Sequence, residues 1–255
     1  MFSPKISIIT ASFNSEKTIS DCINSILNQS YDNIEYIVID GGSTDKTVEI
    51  IKNYILLFKG KLKWISESDK GIYDAWNKGL KLVSGDWISF IGSDDIFFKD
   101  AVADYVNVIN NDPDINFISS KVQIVNNNLN PLRIDGKPWS LQMRTHCCIS
   151  HVGSFHHKSL FYQKGLFNTE YLIAGDYDFL LRCYDIIKPF YMPTLTVKMR
   201  IGGISDRHIL KIAKETLKAK IENKIKSNFN CYIDYSLMIF KYNIRIFLNF
   251  LLISK

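Results

Sequence analysis

The 255-residue sequence contains little glycine or proline, with 13 Gly and 6 Pro, and it has no repeat at a fixed period. This composition excludes collagen-like and low-complexity disordered chains. No basic stretch followed by an apolar leader occurs near residue 1, so the sequence predicts no secretory signal. The five cysteines form no CxxC pair and have no His/Cys spacing that would suit zinc. A protein of the reducing cytosol is therefore expected.

Two nucleotide-binding motifs are also missing. No G-x-G-x-x-G follows the first apolar run, and no G-x-x-x-x-G-K-[ST] occurs anywhere in the chain. Their absence argues against a Rossmann dehydrogenase and a P-loop kinase, because both bind phosphates through these loops. Apolar residues make up 46% of the chain, which is enough for one substantial α/β core.

Apolar runs and amphipathic segments alternate through the first half of the chain. Strand-like runs cover residues 5–11, 34–39, 62–65 and 87–91, and helical spacing covers residues 18–27, 47–58, 72–83 and 96–108. This alternation predicts an α/β fold of parallel βαβ units with both sheet faces covered. Each run ends in a polar cluster. Because ligands of open α/β sheets bind beyond the carboxyl ends of the strands, the sequence predicts a site at that edge.

The pattern changes after about residue 115. Strand-like runs at residues 116–125 and 190–201 accompany a helical segment at residues 176–185, which predicts a mixed sheet on the acceptor side. We therefore expect a catalytic domain at residues 1–206, with a donor half at 1–112 and an acceptor half at 113–206. A helical tail follows at residues 207–255.

The tail carries ten Lys or Arg against three acidic residues, whereas the rest of the chain is slightly acidic. Residues 235–253 are strongly apolar but are interrupted by polar side chains, so they fall short of the roughly 18 uninterrupted residues of a spanning helix. A basic segment with an apolar stripe precedes them. Together they suit helices lying in an anionic membrane surface, peripheral on its inner, cytoplasmic face. The alternatives are a tail that packs on the domain or forms a homodimer.

Asp94 and Asp95 directly follow the fourth apolar run. Two adjacent carboxylates can hold Mg²⁺ or Mn²⁺ against a nucleotide diphosphate, where the metal neutralises charge on the leaving group. The alternative is that Asp95 caps a helix at residues 96–108. Asp40, at the end of the second run, can accept a hydrogen bond from a base N–H, although D-G-G-S is also a good turn.

Five stretches in a fixed order resemble glycosyltransferase family 2, the inverting enzymes of the GT-A fold. They are S-I-I-T-A-S-F-N at 7–14, V-I-D-G-G-S-T-D at 38–45, S-E-S-D-K-G-I-Y-D-A-W-N-K-G at 66–79, G-D-W-I-S-F-I-G-S-D-D at 85–95 and A-G-D-Y-D-F-L-L-R at 174–182. The resemblance implies a Rossmann-like GT-A fold, with a mixed, mostly parallel central sheet flanked by helices.

The resemblance also implies roles for individual residues. The base and ribose of the donor would contact Thr10, Ala11, Phe13 and Asp40, and the sugar nucleotide would be lined by Glu67, Asp69, Gly71 and Asn77. Asp94 and Asp95 occupy the acidic metal motif of the family, with Asp95 the expected ligand of Mn²⁺ or Mg²⁺. Gly92 stands where members often have another Asp, so the literal D-x-D is absent.

Asp176 matches the general base of the family, in a stretch where many members have Glu-Asp instead of Gly175-Asp176. Such a carboxylate takes the proton of the acceptor hydroxyl as that oxygen attacks the anomeric carbon. The alternative is that Asp176 caps the following helix. His151, Arg182 and Arg200 are weaker candidates for contacts to acceptor or phosphate. Each could equally be structural, and Arg200 with residues 202–205 is similar to a mobile loop that closes over the nucleotide.

The resemblance therefore implies a metal-dependent inverting transferase. It would move a sugar from a nucleotide diphosphate sugar, UDP-linked, to a lipid-linked saccharide in the synthesis of O-antigen, capsule or exopolysaccharide. No nucleic-acid partner is expected. Two other functions compete with this one: a catalytically degenerate module that binds sugar nucleotide or glycan at the membrane, and a sugar nucleotidyltransferase. The second would need a basic glycine-rich loop near the first strand, and S-F-N-S-E-K at residues 12–17 is not one.

Overall fold

The computed structural model describes residues 3–203 and 208–253, without the side chains of residues 245–253. Nine strands are β1 (Ile6–Ser12), β2 (Ile34–Asp40), β3 (Leu62–Ser66), β4 (Trp87–Gly92), β5 (Ile96–Phe97), β6 (Phe117–Val125), β7 (Pro131–Asp135), β8 (Ser154–His157) and β9 (Pro189–Arg200). The helices are α1 (Ile19–Leu27), α2 (Thr47–Tyr54), α3 (Ile72–Leu80), α4 (Ala101–Asn111), α5 (Ser159–Lys164), α6 (Gly175–Arg182), α7 (Ile209–Glu222) and α8 (Asn228–Ile253).

All nine strands belong to one mixed sheet, in the order β3-β2-β1-β4-β8-β6-β9-β5, with β7 paired to β6. The first four strands are parallel to one another, β8 is antiparallel to both β4 and β6, and β6 is parallel to β9. The predicted α/β sheet is therefore confirmed. Both predicted halves contribute strands to it, because β8 joins β4 to β6.

The central strands are buried on both faces, as their continuous apolar sequences predict. Ile8 and Ile9 of β1 are both fully buried but belong to different apolar clusters, because successive side chains of a strand point to opposite faces. One cluster packs the sheet against α1, α2 and α4, and the other packs it against α3, α5 and α6. Burying each Ile stabilises the fold by about 1.5–3 kcal/mol.

The predicted start of one helix, at residue 96, is wrong. Residues 96 and 97 form the short strand β5, paired with β9, and the helix begins only at Ala101. Asp95 is therefore not a helix cap, and Asp100 occupies that position. The predicted helices at 47–58 and 72–83 end earlier, at Tyr54 and Leu80. Strands β7 and β8 were not predicted, because neither has a distinctive apolar run.

The tail forms two helices, and α7 packs on the catalytic part of the chain. Ala213 and Ala219 of α7 are buried, and the Arg144 guanidinium donates to the Ile225 carbonyl at 2.6 Å. Lys220 is almost fully buried and pairs with Asp234 of α8 at 2.9 Å. Among the described residues, no helix has the length and apolarity needed to cross a membrane.

Candidate active site

Four strands place their carboxyl ends side by side. In the parallel register, Asp40 of β2 lies opposite Ser12 of β1 and Ser66 of β3, while Ala11 lies opposite Gly92 of β4. The segments that follow these strands must therefore meet at one edge of the sheet. This is the edge where the sequence predicts the site.

The Asp40 carboxylate organises the turn after β2. It is fully buried and accepts hydrogen bonds from the backbone N–H groups of Gly42 and Ser43. The hydroxyls of Ser12, Ser43 and Ser66 donate to the same carboxylate. Both oxygens thus have protein partners, and the side chain links the ends of β1, β2 and β3. This geometry agrees with the alternative that D-G-G-S, at residues 40–43, forms a turn.

Asp69 lies directly above that turn. A Cβ atom added at Gly41 would come within 2.6 Å of Asp69 Oδ2, so the missing side chain at position 41 leaves the space that the Asp69 carboxylate fills. The other Asp69 oxygen accepts from the N–H of Gly71, which has φ +117° and precedes α3. Glu67 is 57% exposed and pairs with Lys78 of α3. Asp69 and Gly71 are therefore held at the sheet edge, beside Asp40.

Asp94 and Asp95 direct their carboxylates over Gly92. A Cβ at position 92 would lie 2.7 Å from Asp94 Oδ1 and 2.9 Å from Asp95 Oδ2, so these two oxygens converge on the same space. Burial raises the pKa of Asp94, and burial together with the neighbouring Asp94 charge raises the pKa of Asp95 well above its usual range. Such a pair favours a bound cation, since a cation relieves the mutual repulsion.

Arg200, at the end of β9, partly compensates the two carboxylates. Its backbone N–H donates to Asp95 Oδ1 at 3.1 Å, and its guanidinium donates to the Asp94 carbonyl and to Asp21 Oδ2. The side chain is 6% exposed, and its Nε has no hydrogen-bond partner. The structure thus places Arg200 at the acidic pair. Residues 204 and 205 of the expected closing loop lie outside the described residues.

The acidic pair fits a divalent metal that completes its coordination from a ligand. Within residues 3–203 and 208–253, no cluster of three or more His, Cys, Asp or Glu side chains could hold a metal. Mg²⁺ and Mn²⁺ take hard oxygen ligands, and Mg²⁺ is usually held by one or two carboxylates together with substrate phosphates and water. Two converging carboxylates meet that requirement, whereas they would be a poor closed site for zinc.

Asp176 is the second residue of α6 and is partly buried. Its Oδ1 accepts from the Tyr177 N–H at 2.8 Å and from the Tyr73 hydroxyl at 3.2 Å. Burial raises the pKa of Asp176 to about 6, although the hydrogen bonds from Tyr177 and Tyr73 oppose the shift. A carboxylate with this pKa is ionised at neutral pH yet binds a proton readily, as a general base must. Ala174, not Asp176, is the N-cap of α6.

The first turn of α3 connects Asp176 to the 67–71 segment, whose residues are predicted to line the sugar nucleotide. The Tyr73 hydroxyl also donates to the Ile173 carbonyl at 2.6 Å, and a Cβ at Gly175 would come within 2.8 Å of the Tyr73 ring. Gly71 lies next to Leu172, since a Cβ there would be 3.7 Å from Leu172 Cδ2. Close packing through two glycines therefore brings the 67–71 segment against the loop that precedes Asp176.

Some candidate residues have structural partners. Thr10 is fully buried, and its hydroxyl accepts from Tyr36. The buried Asn77 amide makes a reciprocal pair with the Phe167 backbone, at 2.9 and 3.0 Å. Ala11 lies at the end of β1, and Phe13 is 63% exposed in the following loop. Of these four residues, Phe13 alone presents a largely exposed side chain at the edge.

His151 and Arg182 are likewise held by the fold. His151 is buried and stacks on Trp76 at a centroid distance of 4.9 Å, and neither ring nitrogen has a partner. Arg182 pairs with Asp178 at 3.0 Å and donates to the carbonyls of Lys164 and Leu166. Contacts of these two residues to acceptor or phosphate stay a prediction, and the aromatic core and the Asp178 pair already account for their positions.

Sequence reasoning did not single out three residues of this arrangement: Asp21, Tyr73 and Glu215. Asp21 lies on α1 and binds Arg200, which is 179 positions away, so no local pattern reveals it. Tyr73 lies within the stretch at 66–79 that resembles the family, but no sequence pattern indicates the partner of its hydroxyl. Glu215 is one of only three acidic residues in a basic tail, and that isolation is a signal.

The sequence model of glycosyl transferase family 2 matches residues 7–175. Among curated proteins, a PGL/p-HBAD biosynthesis glycosyltransferase of Mycobacterium bovis is 27% identical over 213 residues, covering 81% of each chain. An uncharacterized glycosyltransferase of Mycobacterium tuberculosis is 31% identical over 209 residues, covering 79% of this chain and 77% of the relative. Both matches extend over most of the sequence.

Solved structures show the same fold. Residues 1–349 of S. aureus TarS in complex with UDP-GlcNAc superpose with a TM-score of 0.71 at 19% identity, covering 92% of this chain and 71% of that one. The mannosyltransferase PcManGT of Pyrobaculum calidifontis, in complex with GDP-Man and Mn²⁺, superposes with a TM-score of 0.66 at 14% identity, covering 96% and 76%. The predicted GT-A fold is therefore confirmed.

Proposed function

The chain belongs to glycosyl transferase family 2 and is a glycosyltransferase, and from that membership we propose an inverting, metal-dependent transfer from a UDP-linked sugar to a lipid-linked saccharide. The observation that carries the proposal is the placement of carboxylate-bearing segments beyond one sheet edge: residues 67–71 follow β3 and pack against the loop that precedes Asp176, and the Asp94–Asp95 pair follows β4. A diphosphate, a metal and a proton acceptor are what sugar transfer needs.

The donor would lie along the carboxyl ends of β1 to β4. Phe13, Asp69 and Gly71 border that edge, and Asp40 fixes its central turn. The donors bound by TarS and PcManGT, UDP-GlcNAc and GDP-Man, are both sugars on a nucleoside diphosphate, which supports a donor of that class here. Thr10 and Asn77 would support the donor site through packing, since their polar groups already have protein partners.

Asp95, with Asp94 beside it, would hold the metal, which supplies positive charge to the departing diphosphate. The protein's own part in that step is to keep two carboxylate oxygens converged over Gly92 and to limit their repulsion through Arg200. The Mn²⁺ present with PcManGT supports the choice of cation.

Asp176 would accept the proton of the acceptor hydroxyl while that oxygen attacks the anomeric carbon. The new C–O bond forms on the face opposite the departing diphosphate, so the anomeric configuration is inverted. Tyr73 and the Tyr177 N–H orient the carboxylate through Oδ1. Burial keeps the proton affinity of Asp176 high enough for the transfer.

The test is release of UDP from a panel of UDP-sugars, with Mn²⁺ and a membrane extract as acceptor. We expect Asp176→Asn to bind donor normally but to lose about 10²–10⁴-fold in kcat, the range of general-base catalysis. Asp95→Ala should abolish the Mn²⁺ dependence. Asp114→Asn is the matched control, because that carboxylate is 89% exposed and lies in the loop between α4 and β6. Normal turnover by Asp176→Asn would refute the assignment of the base.

The tail would bring the enzyme to an anionic membrane that carries the acceptor. Large apolar side chains on α8 are exposed, among them Phe229, Tyr232, Leu237 and Phe240. The segment between α7 and α8 lines a cavity of about 540 Å³, which has four cationic side chains and one carboxylate: Arg144, Lys164, Arg182, Lys224 and Asp185. A basic tail that exposes apolar side chains suits an anionic lipid interface.

A further inference from the structure

One carboxylate of the tail, that of Glu215 on α7, accepts hydrogen bonds from three consecutive backbone N–H groups. The donors are Leu172, Ile173 and Ala174, at 3.2, 2.9 and 2.9 Å. These residues immediately precede α6, whose second residue is Asp176. Hydrogen bonds to an ionised acceptor are about twice as strong as neutral ones. Glu215 therefore fixes the backbone from which the Asp176 side chain projects.

This contact supplies an acceptor to one of the unpaired N–H groups at the start of α6, that of Ala174. The first N–H groups of a helix have no partner within the helix, and a side chain at the N-cap usually accepts one of them. The N-cap of α6 is Ala174, which has no side-chain acceptor. Glu215 supplies a carboxylate to the N–H groups of the cap residue and its two predecessors, where the helix dipole also favours negative charge.

Further side chains of α7 fasten it along the same segment. Glu222 accepts from the Tyr171 hydroxyl at 2.7 Å, and Lys218 pairs with Glu170 at 2.7 Å. Asn223, just beyond the helix, donates to Asp178 at 2.9 Å. The helix is thus aligned with residues 170–178, and Glu215 reaches the loop from a fixed position.

We propose that Glu215 is a positioning residue for the transfer reaction, which makes helix α7 part of the active site. The inference rests on the proposed role of Asp176 as the base. Glu215 lies outside residues 7–175, where the family model matches, so the helix adds a support that the matched region does not contain. Removing the carboxylate frees the loop that aims Asp176 at the acceptor, and misplacement of a catalytic group by about 1 Å can cost about 10²-fold in rate.

Glu215 also acts on Asp176 through its charge. The titratable groups that influence Asp176, or are influenced by it, come from several elements: Tyr73 on α3, Cys147 in the 145–150 loop and Glu215 on α7. Tyr177 acts through its backbone N–H. Burial is the main cause of the raised pKa of Asp176, and the Glu215 charge raises it further. Neutralising Glu215 must therefore lower the pKa of Asp176.

The experiment compares Glu215→Ala and Glu215→Gln with the wild type in two measurements. Hydrogen exchange detected by mass spectrometry follows the amides of residues 172–174 and needs no substrate. UDP release with Mn²⁺ and membrane extract gives kcat, KM and the pH profile. We expect Glu215→Ala to exchange faster at 172–174 and to lose about tenfold in kcat with KM for the donor nearly unchanged. Glu215→Gln should move the acidic limb of the kcat profile to lower pH.

Lys214→Ala and Lys214→Gln are the matched controls, because Lys214 is the exposed neighbour of Glu215 on α7. They should leave the acidic limb and the exchange at 172–174 unchanged. Equal effects of the Lys214 and Glu215 variants would overturn the inference. Unchanged exchange in Glu215→Ala would also overturn it, whether or not any donor turns over. Absence of turnover by the wild type with every donor would instead count against the proposed function.

Discussion

At the scale of single residues, the environment of each carboxylate determines which chemistry it can support. Asp40 has hydrogen-bond donors on both oxygens, so its charge is committed to a turn. Asp176 has donors to Oδ1 and a pKa of about 6. Asp94 and Asp95 face each other over a glycine. One side-chain type thus occurs in three environments, which suit a structural role, proton transfer and cation binding.

The raised pKa of Asp176 predicts a pH dependence of activity. The base must be ionised to accept a proton, and its pKa of about 6 lies above the usual 3.8. We therefore expect kcat to be constant at neutral pH and to fall about tenfold for each pH unit below about 6. UDP release measured from pH 4.5 to 8 tests this. A rate that stays constant down to pH 4.5 would show that Asp176 does not act as the base.

Gly92 controls the geometry of the acidic pair. A Cβ atom at this position would lie 2.7 Å from Asp94 Oδ1 and 2.9 Å from Asp95 Oδ2, so Gly92→Ala must displace these two oxygens. We expect the Mn²⁺ concentration for half-maximal UDP release to rise about tenfold or more, as when a supporting residue of a metal site is changed. Thermal unfolding of the variant, measured without metal, serves as the control for folding. Unchanged Mn²⁺ dependence would place the metal elsewhere.

At the scale of elements, a buried carboxylate joins β1 and β2 to the turn before β4. Glu35 of β2 accepts from the Ser7 hydroxyl, from the Ser84 and Gly85 N–H groups and from Lys63. Burial alone would raise its pKa, but these hydrogen bonds outweigh that effect and lower the pKa to about 2. The strands whose carboxyl ends form the site edge are thus held together at their opposite ends.

Replacing Glu35 by Gln should destabilise the fold by about 2–3 kcal/mol at pH 7, because hydrogen bonds to a charged group are lost. A depressed folded-state pKa stabilises the protein above the unfolded value of about 4.5, and this contribution disappears as the pH falls towards 2. The difference between wild type and Glu35→Gln should therefore shrink between pH 5 and 2.5. Urea unfolding measures it, with the exposed Glu49→Gln as control. If the difference in unfolding free energy stays constant across this range, the pKa of Glu35 is not lowered in the folded protein.

At the scale of the whole molecule, the two helices of the tail have different surroundings. Helix α7 attaches it to the catalytic part through Glu215 and through Lys220, which donates to the Thr145 carbonyl, so the packing alternative left open by the sequence applies to this helix. The Lys220–Asp234 pair joins α7 to α8. Helix α8 exposes large apolar side chains, and the described residues do not cover them. A tail can therefore pack on the domain and still present an apolar surface to a membrane.

The double variant Leu237→Ser/Phe240→Ser tests the membrane surface. Both side chains are more than half exposed, so the change should leave the fold intact while removing apolar area that enters the lipid interface. We expect the fraction that sediments with vesicles containing anionic lipid to fall about tenfold. Leu56→Ser/Leu57→Ser is the matched control, since these exposed leucines follow α2. Unchanged sedimentation of the Leu237/Phe240 variant would contradict a lipid-facing α8.

The sequence by itself determined the parts of the fold that depend on local patterns. The four parallel strands, their helices and the polar ends that form the site edge follow from apolar periodicity and from the motifs around Asp40, Asp95 and Asp176. Periodicity does not predict strands that form only through pairing with a neighbouring strand. Residues 96–97 form a strand only because β9 pairs with them, and β8 is a strand only because it lies between β4 and β6.

Only the tertiary structure decided how these groups are held. Asp21 meets Arg200, Tyr73 meets Asp176 and Glu215 meets residues 172–174, and each pair is separated by about 40 to 180 positions in sequence. Such contacts depend on the order of strands in the sheet and on the packing of helices against it. A sequence pattern specifies which face of an element is apolar, but the partner across a long loop is fixed only when the whole chain folds.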